Sequence, residues 1–163
     1  MENNKTEFTY VMVKPDGVRK GLTNEIIKIF IANDLEIYEM APERVLDKDL
    51  IKVHYAHLLD KPFYPELEEF MTSGPVVPMI ICGEDAVAKV RTIIGPTNVA
   101  KAKEESPNSI RAIYGNPEKG SENIIHASDS VENGLIEIER FFGYNEEYLN
   151  KPKVRCIMKS MIL

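Results

Sequence analysis

Apolar and polar positions alternate through residues 8–13, with Phe8, Tyr10 and Met12 on one side and Thr9, Val11 and Val13 on the other. Both sets are aromatic, apolar or β-branched, so the pattern predicts a central strand covered on both faces. Lys14-Pro15-Asp16-Gly17 reads as a turn, because Pro fixes φ and Gly accepts positive φ. The period then changes to that of a helix, capped by Thr23 or Asn24, with Ile26, Ile27, Phe30 and Ile31 as its inner stripe. Residues 35–41 predict a second strand that ends irregularly at Pro42.

Asp47 opens a helix carrying Leu50, Val53, His54, His57 and Leu58, and Pro62 breaks it. A short helix starts at Pro65 and runs to Met71, ended by Ser73-Gly74-Pro75. Residues 76–82 form the longest apolar run, a third strand far too short to span a bilayer. Asp85 caps a helix with Ala86, Val87, Val90, Ile93 and Ile94 inward, ended by Gly95-Pro96. Residues 97–120 are a long polar stretch, and such a loop inside a compact domain is usually functional or disordered. Residues 123–126 predict a short fourth strand. Ser128-Asp129-Ser130 caps a last helix with the stripe Val131, Leu135, Ile138 and Phe142, and Asp129 and Glu132 stand in capping-box spacing. Gly143 ends it, and residues 153–163 form an extended or irregular tail.

The order of elements fits an α+β, ferredoxin-like split βαβ sandwich: a four-stranded antiparallel sheet with helices packed on it. A doubly wound parallel sheet is the alternative. The 163 residues suit one domain, with a core over about residues 7–142 and an extension over 144–163. An apolar fraction of 44% and a charged fraction of 28% exclude a disordered or fibrous chain. The net charge of −6, with no Trp, argues against a nucleic-acid surface, although a few clustered cations can still hold a small anion. The polar start carries no secretory signal, and Cys82 and Cys156 read as buried thiols of a reducing, cytoplasmic setting. Asn4-Lys5-Thr6 matches a glycosylation acceptor only by accident in that setting.

Gly115 to Gly120 resembles a phosphate loop but lacks its Lys, and Pro117 removes an amide donor, so it reads as a turn. His54 and His57 lack the partners of a metal site and read as partly buried helix histidines. His126 ends a strand just before a helix. Position alone leaves it either a satisfied core histidine or a nucleophile beside helix-terminal amides. Lys14, Arg91 and Arg111 lie at element boundaries, where they are either surface charges or parts of a polyphosphate clamp.

Residues 10–18 (Tyr-Val-Met-Val-Lys-Pro-Asp-Gly-Val), 73–77 (Ser-Gly-Pro-Val-Val) and 123–130 (Asn-Ile-Ile-His-Ala-Ser-Asp-Ser) resemble the nucleoside diphosphate kinase family. Residues 60–64 and 95–98 fit it too, so the likeness covers about residues 7–142 in unbroken order. The resemblance implies transfer of a γ-phosphoryl group between nucleoside tri- and diphosphates, ping-pong through a phosphohistidine, with Mg²⁺. His126 matches the nucleophile, and Glu137 the carboxylate that orients it. Lys14, Tyr55, Arg91, Thr97 and Arg111 match the groups around the phosphates. Asn123 and Lys14 match the sugar contacts, Phe63 the ring that stacks on the base, and Ser128 a hydroxyl near the transferred phosphate. Mg²⁺ is expected through nucleotide phosphates and water, with no protein metal site. A homo-oligomer is implied, a hexamer before a tetramer, with no nucleic acid and no membrane as partner. A non-catalytic nucleotide-binding or regulatory member of the same fold is the alternative. The chain departs from the family at Ala127, where Gly is usual, at Val99, where many relatives carry Pro, and in longer loops on either side of Arg111. Ala127 would be strained if that position needs positive φ.

Overall fold

The computed structural model describes residues 6–151. Its first strand, β1 (Thr6–Val13), pairs antiparallel with β4 (Pro75–Glu84) on one side and with β5 (Ile125–Ala127) on the other. The far edge of β4 takes β2 (Glu36–Met40), giving the order β2-β4-β1-β5. A two-residue strand, β3 (Arg44–Val45), pairs with the start of β4, so the sheet has five strands where the pattern predicted four.

The two-sided alternation of β1 follows from its central place. Phe8, Tyr10 and Met12 join one apolar cluster and Val11 and Val13 the other, all fully or almost fully buried. Val11 and Val13 meet α2 (Thr23–Ala32) and α5 (Ala86–Ile94) through Ile26, Phe30, Val90 and Ile94. Tyr10 and Met12 meet α3 (Lys48–His54), α4 (Tyr64–Met71) and α8 (Val131–Phe142) through Ile51, Met71 and Ile138. Pro78 is accommodated on a central strand because β2 needs only its carbonyl, which accepts from the Ala41 amide at 2.9 Å, next to a β2 bulge between Ile37 and Glu39.

Several expected boundaries move. In place of the expected turn, Lys14 caps a short helix, α1 (Pro15–Arg19), in which Gly17 has no positive φ. Helix α2 starts after Leu22, with no side-chain cap from Thr23 or Asn24. Asp85 precedes α5 with φ 50° and does not cap it; Glu7 accepts from the Val87 amide at 3.2 Å instead. Within the expected cap Ser128-Asp129-Ser130, it is Ser130 that caps α8 by accepting from the Asn133 amide, whereas Val131 is exposed rather than in the stripe. Inside the polar stretch lie α6 (Val99–Glu105), capped by Asn98, and α7 (Ile110–Tyr114), capped by Ser109. Each has few buried side chains, too few to show a helical period, so only the cap residues betray them. The chain ends its described part in α9 (Glu146–Leu149), where Leu149 is buried. Cys82 is buried, whereas Cys156, the 153–163 tail and the Asn4 position lie outside the described residues. No described helix is long and apolar enough to cross a membrane.

Candidate active site

A cleft of about 890 Å³ opens where the ends of β1 and β5 meet α3, α5 and the start of α4. Lys14, Tyr55, Phe63, Arg91, Thr97, Arg111, Asn123, His126 and Glu137 all line it. These residues come from stretches far apart in the chain, so their convergence is a product of the sheet order.

His126 sits on β5 opposite Met12 of β1. Its Nε2 lies 2.5 Å from Glu137 Oε1 and 3.2 Å from Oε2. A carboxylate only accepts, so Nε2 carries the proton and Nδ1 keeps its lone pair. Among the described residues nothing hydrogen-bonds to Nδ1, which makes it the atom able to attack an electrophile. Glu137 is itself held: the buried Ser128 hydroxyl donates to its Oε2 at 3.1 Å. Ser128 therefore stands behind the carboxylate that holds the imidazole. Glu137 reaches His126 because α8 lies close on β1. A Cβ added at Gly134 would stand 3.2 Å from the Phe8 carbonyl, tighter than ordinary contact.

His54 is the site residue that sequence reasoning set aside. It ends α3, buried, with its ring 4.5 Å from that of His126 and at 71° to it. The Arg140 guanidinium donates to its Nδ1 at 3.1 Å, which leaves the proton on Nε2. Burial first, then the His126 and Arg140 charges, lower its pKa to about 2, so the ring stays neutral. His57, by contrast, is exposed on the 3₁₀ turn Ala56–Leu58 and forms no pair with it. Ligand atoms of His54, His126 and Glu137 lie within 4.8 Å of one another. Lys14, Arg111 and Arg140 on the same cleft oppose a cation there, and the His126–Glu137 bond would have to open to admit one. Arg140 was legible from spacing, since it follows Glu137 by three residues on one helix face.

Lys14 is buried where β1 ends. Its ammonium donates to the Ser121 carbonyl at 2.7 Å and to Asn123 Oδ1 at 2.8 Å. The Asn123 amide in turn donates to the Thr97 carbonyl at 3.0 Å. Burial lowers the Lys14 pKa to about 7, with the Asp16 carboxylate opposing the shift and Arg111 adding to it. Arg111 lies on α7, not in a loop, and its guanidinium donates to the Gly95 carbonyl at 3.0 Å and the Ile125 carbonyl at 2.7 Å. Burial, then Arg91, lowers its pKa to about 10, so it remains a cation at neutral pH. Its Nε is buried and has no partner among the described residues.

The remaining groups form the rim and wall. Arg91, on the last turn of α5, and Thr97 are exposed at the cleft edge. Phe63 precedes α4 and is 50% exposed, which leaves a ring face available. Tyr55 is buried with its ring 6.1 Å from His126, and burial, then the Glu137 charge, raises its pKa, so its hydroxyl keeps its proton. Ala127 lies in extended β5 backbone and carries no positive φ, so the feared strain is absent there. It falls instead on Ile124, whose φ of 76° is a genuine outlier for a β-branched residue and costs about 1–3 kcal/mol. Val99 is buried at the start of α6.

The arrangement is that of an imidazole with one ring nitrogen free among the described residues, in a cleft lined by cations and an exposed aromatic ring. The family model for nucleoside diphosphate kinase matches residues 7–147. A nucleoside diphosphate kinase of Aquifex aeolicus is 44% identical over 132 residues, 81% of this chain and 91% of that protein. The structure of one from Encephalitozoon cuniculi aligns with a TM-score of 0.80 at 34% identity, covering 96% of this chain and 99% of that one. One from Halobacterium salinarum, in complex with CDP, aligns with a TM-score of 0.77 at 39% identity, covering 86% and 90%. With its fold and the greater part of its sequence shared in this way, the chain belongs to the nucleoside diphosphate kinase family, enzymes that move a phosphoryl group from a nucleoside triphosphate to a nucleoside diphosphate.

Proposed function

We propose that His126 carries the phosphoryl group between the two nucleotides. Its Nδ1 attacks the γ-phosphorus, the bond to the β–γ bridging oxygen breaks, and the nucleoside diphosphate leaves with that oxygen. A terminal oxygen of the second nucleoside diphosphate then attacks the same phosphorus, and the N–P bond breaks. The observation that carries this reading is the Nε2 bond to Glu137, which fixes the tautomer and leaves Nδ1 bare in a cleft lined by Lys14, Arg91 and Arg111. Those cations neutralise phosphate oxygens, and most strongly where charge gathers in the transition state. Asn123 and Lys14 meet the sugar, and Tyr55 and Thr97 border the phosphates. Ser128 acts through Glu137. The CDP in the Halobacterium salinarum relative supports a nucleoside diphosphate in this cleft. Brief incubation with γ-labelled ATP tests the reading: acid-labile, alkali-stable label on His126 that chases onto GDP supports it, and label elsewhere refutes it.

Mg²⁺ fits as an ion brought by the nucleotide. The site's central carboxylate, Glu137, is committed to His126 and Ser128, and the other named groups are donors suited to phosphate. Bound with the nucleotide, the ion would supply charge neutralisation at phosphate oxygens that Lys14, Arg91 and Arg111 also face.

Phe63 offers one ring face to the base, and stacking discriminates little among bases. Phe63→Ala should weaken binding of all four common nucleoside diphosphates by about 1–3 kcal/mol, with their order preserved. Calorimetry on each would reveal a base-selective loss, which would point to edge hydrogen bonding instead.

For the assembly we favour a hexamer, or else a tetramer. The edge strand β2 and the short β3 expose Met40 and Val45, an apolar edge that a second copy would cover. Light scattering at micromolar concentration should give a closed multimer; a monomer would reject this. The cytoplasm, where nucleotide pools lie, suits such a catalyst.

A further inference from the structure

The proposed chemistry needs Asn123 and His126 to stand on opposite flanks of a sharp backbone reversal, and Ile124 makes it with φ 76°. Nothing in isoleucine favours that conformation, since its branched side chain crowds the backbone there. The Lys14–Gly17 segment grips this residue from both ends. The buried Asp16 carboxylate accepts from the Ile124 amide at 3.0 Å through Oδ2. The Lys14 amide donates to the Ile124 carbonyl at 2.8 Å. Gly17 leaves the room: a Cβ built there would stand 2.9 Å from the same carbonyl and 2.8 Å from Val13. Released, Ile124 would relax toward negative φ. The Asn123 side chain that holds Lys14, and the β5 strand that carries His126, would then shift together.

We propose that Asp16 is a positioning residue that latches Ile124 in its left-handed conformation, and through it sets Asn123, Lys14 and His126 for phosphoryl transfer. This rests on His126 being the phosphoryl carrier. Asp16 does not line the cleft, and its other oxygen, Oδ1, has no hydrogen-bond partner among the described residues, so Oδ2 is its hold on the Ile124 amide. A carboxylate beside Lys14 could instead serve only by its charge, and the two roles predict different rescues.

Asp16→Ala should lower kcat/KM about 10- to 100-fold, the scale of a displacement near 1 Å among reacting groups. Adding Ile124→Gly should restore about tenfold of that loss, because Gly takes positive φ without the latch. The same change removes a fully buried core side chain and adds freedom to the unfolded chain, so the melting temperature should fall further while activity rises. A merely structural Asp16 would make activity and melting temperature fall together, and that outcome overturns the latch. Asp16→Asn keeps an accepting oxygen without the charge and should stay within about threefold of wild type. If it loses as much as Asp16→Ala, or if Gly rescues nothing, the latch is wrong. Label on His126 in the unaltered protein is measured beside these variants, so that failure of the carrier is told apart from failure of the latch.

Discussion

His126→Ala is expected to abolish both the phosphorylated protein and nucleotide-to-nucleotide transfer, a loss of roughly 10⁴-fold or more in kcat. The size follows from the route. Without Nδ1 no covalent carrier forms, and the acceptor and donor nucleotides would have to meet in a cleft of about 890 Å³. Nucleotide binding should survive, because Lys14, Arg111, Asn123 and Phe63 remain in place. Folding should survive too, since the His126 side chain is partly exposed and, among the described residues, hydrogen-bonds to Glu137 alone. Intact-mass measurement after incubation with ATP, combined with coupled turnover, separates the two effects. Near-native turnover in this variant would remove His126 from the mechanism, whatever the binding data say.

Lys14→Ala should cost about 2–4 kcal/mol of transition-state stabilisation, read as the fall in kcat/KM, as loss of one charge-assisted donor at a transferring phosphoryl does. Arg111→Ala should fall in the same range. Lys14 adds a pH signature. Its pKa in the empty site is lowered to about 7, chiefly by burial, from a usual value near 10.5. Between these values the unfolded chain holds a proton that the folded one has released, so this group makes stability rise with pH from about 7 to about 10. Phosphate binding runs the other way, because only the charged ammonium attracts it. The kcat/KM profile of the wild type should therefore decline above about pH 7, and Lys14→Ala should lack that limb. An identical decline in the variant would assign the limb to another group.

The last helix and the second strand were legible because their signals are local: Leu135 and Ile138 recur at helical spacing, and Leu35, Ile37, Tyr38 and Met40 fall in one short run closed by Pro42. The helices α6 and α7 were not, because a helix of one or two turns with two or three buried side chains has no period to detect. His54 was misjudged for a related reason. Its partners are Arg140 and the His126 ring, more than seventy residues away along the chain, and nothing near it in sequence announces them.

The amino-acid sequence by itself determined which chemistry-bearing side chains exist and which stretches are strands and helices. Hydrophobic periodicity and cap residues act over a few positions, so their signal survives without a fold. Only the tertiary structure decided that Lys14, Arg111 and His126 share one cleft, because that depends on β5 and β4 flanking β1 across long stretches of chain. It also decided where strain is stored. Ala127, one of the departures the sequence showed, sits at ease in extended backbone, while Ile124 is held at φ 76° against its own preference. Intrinsic propensity would place the strain nowhere near an isoleucine. Long-range contacts from Asp16 and Lys14 override it, and such contacts exist only once the chain has closed on itself.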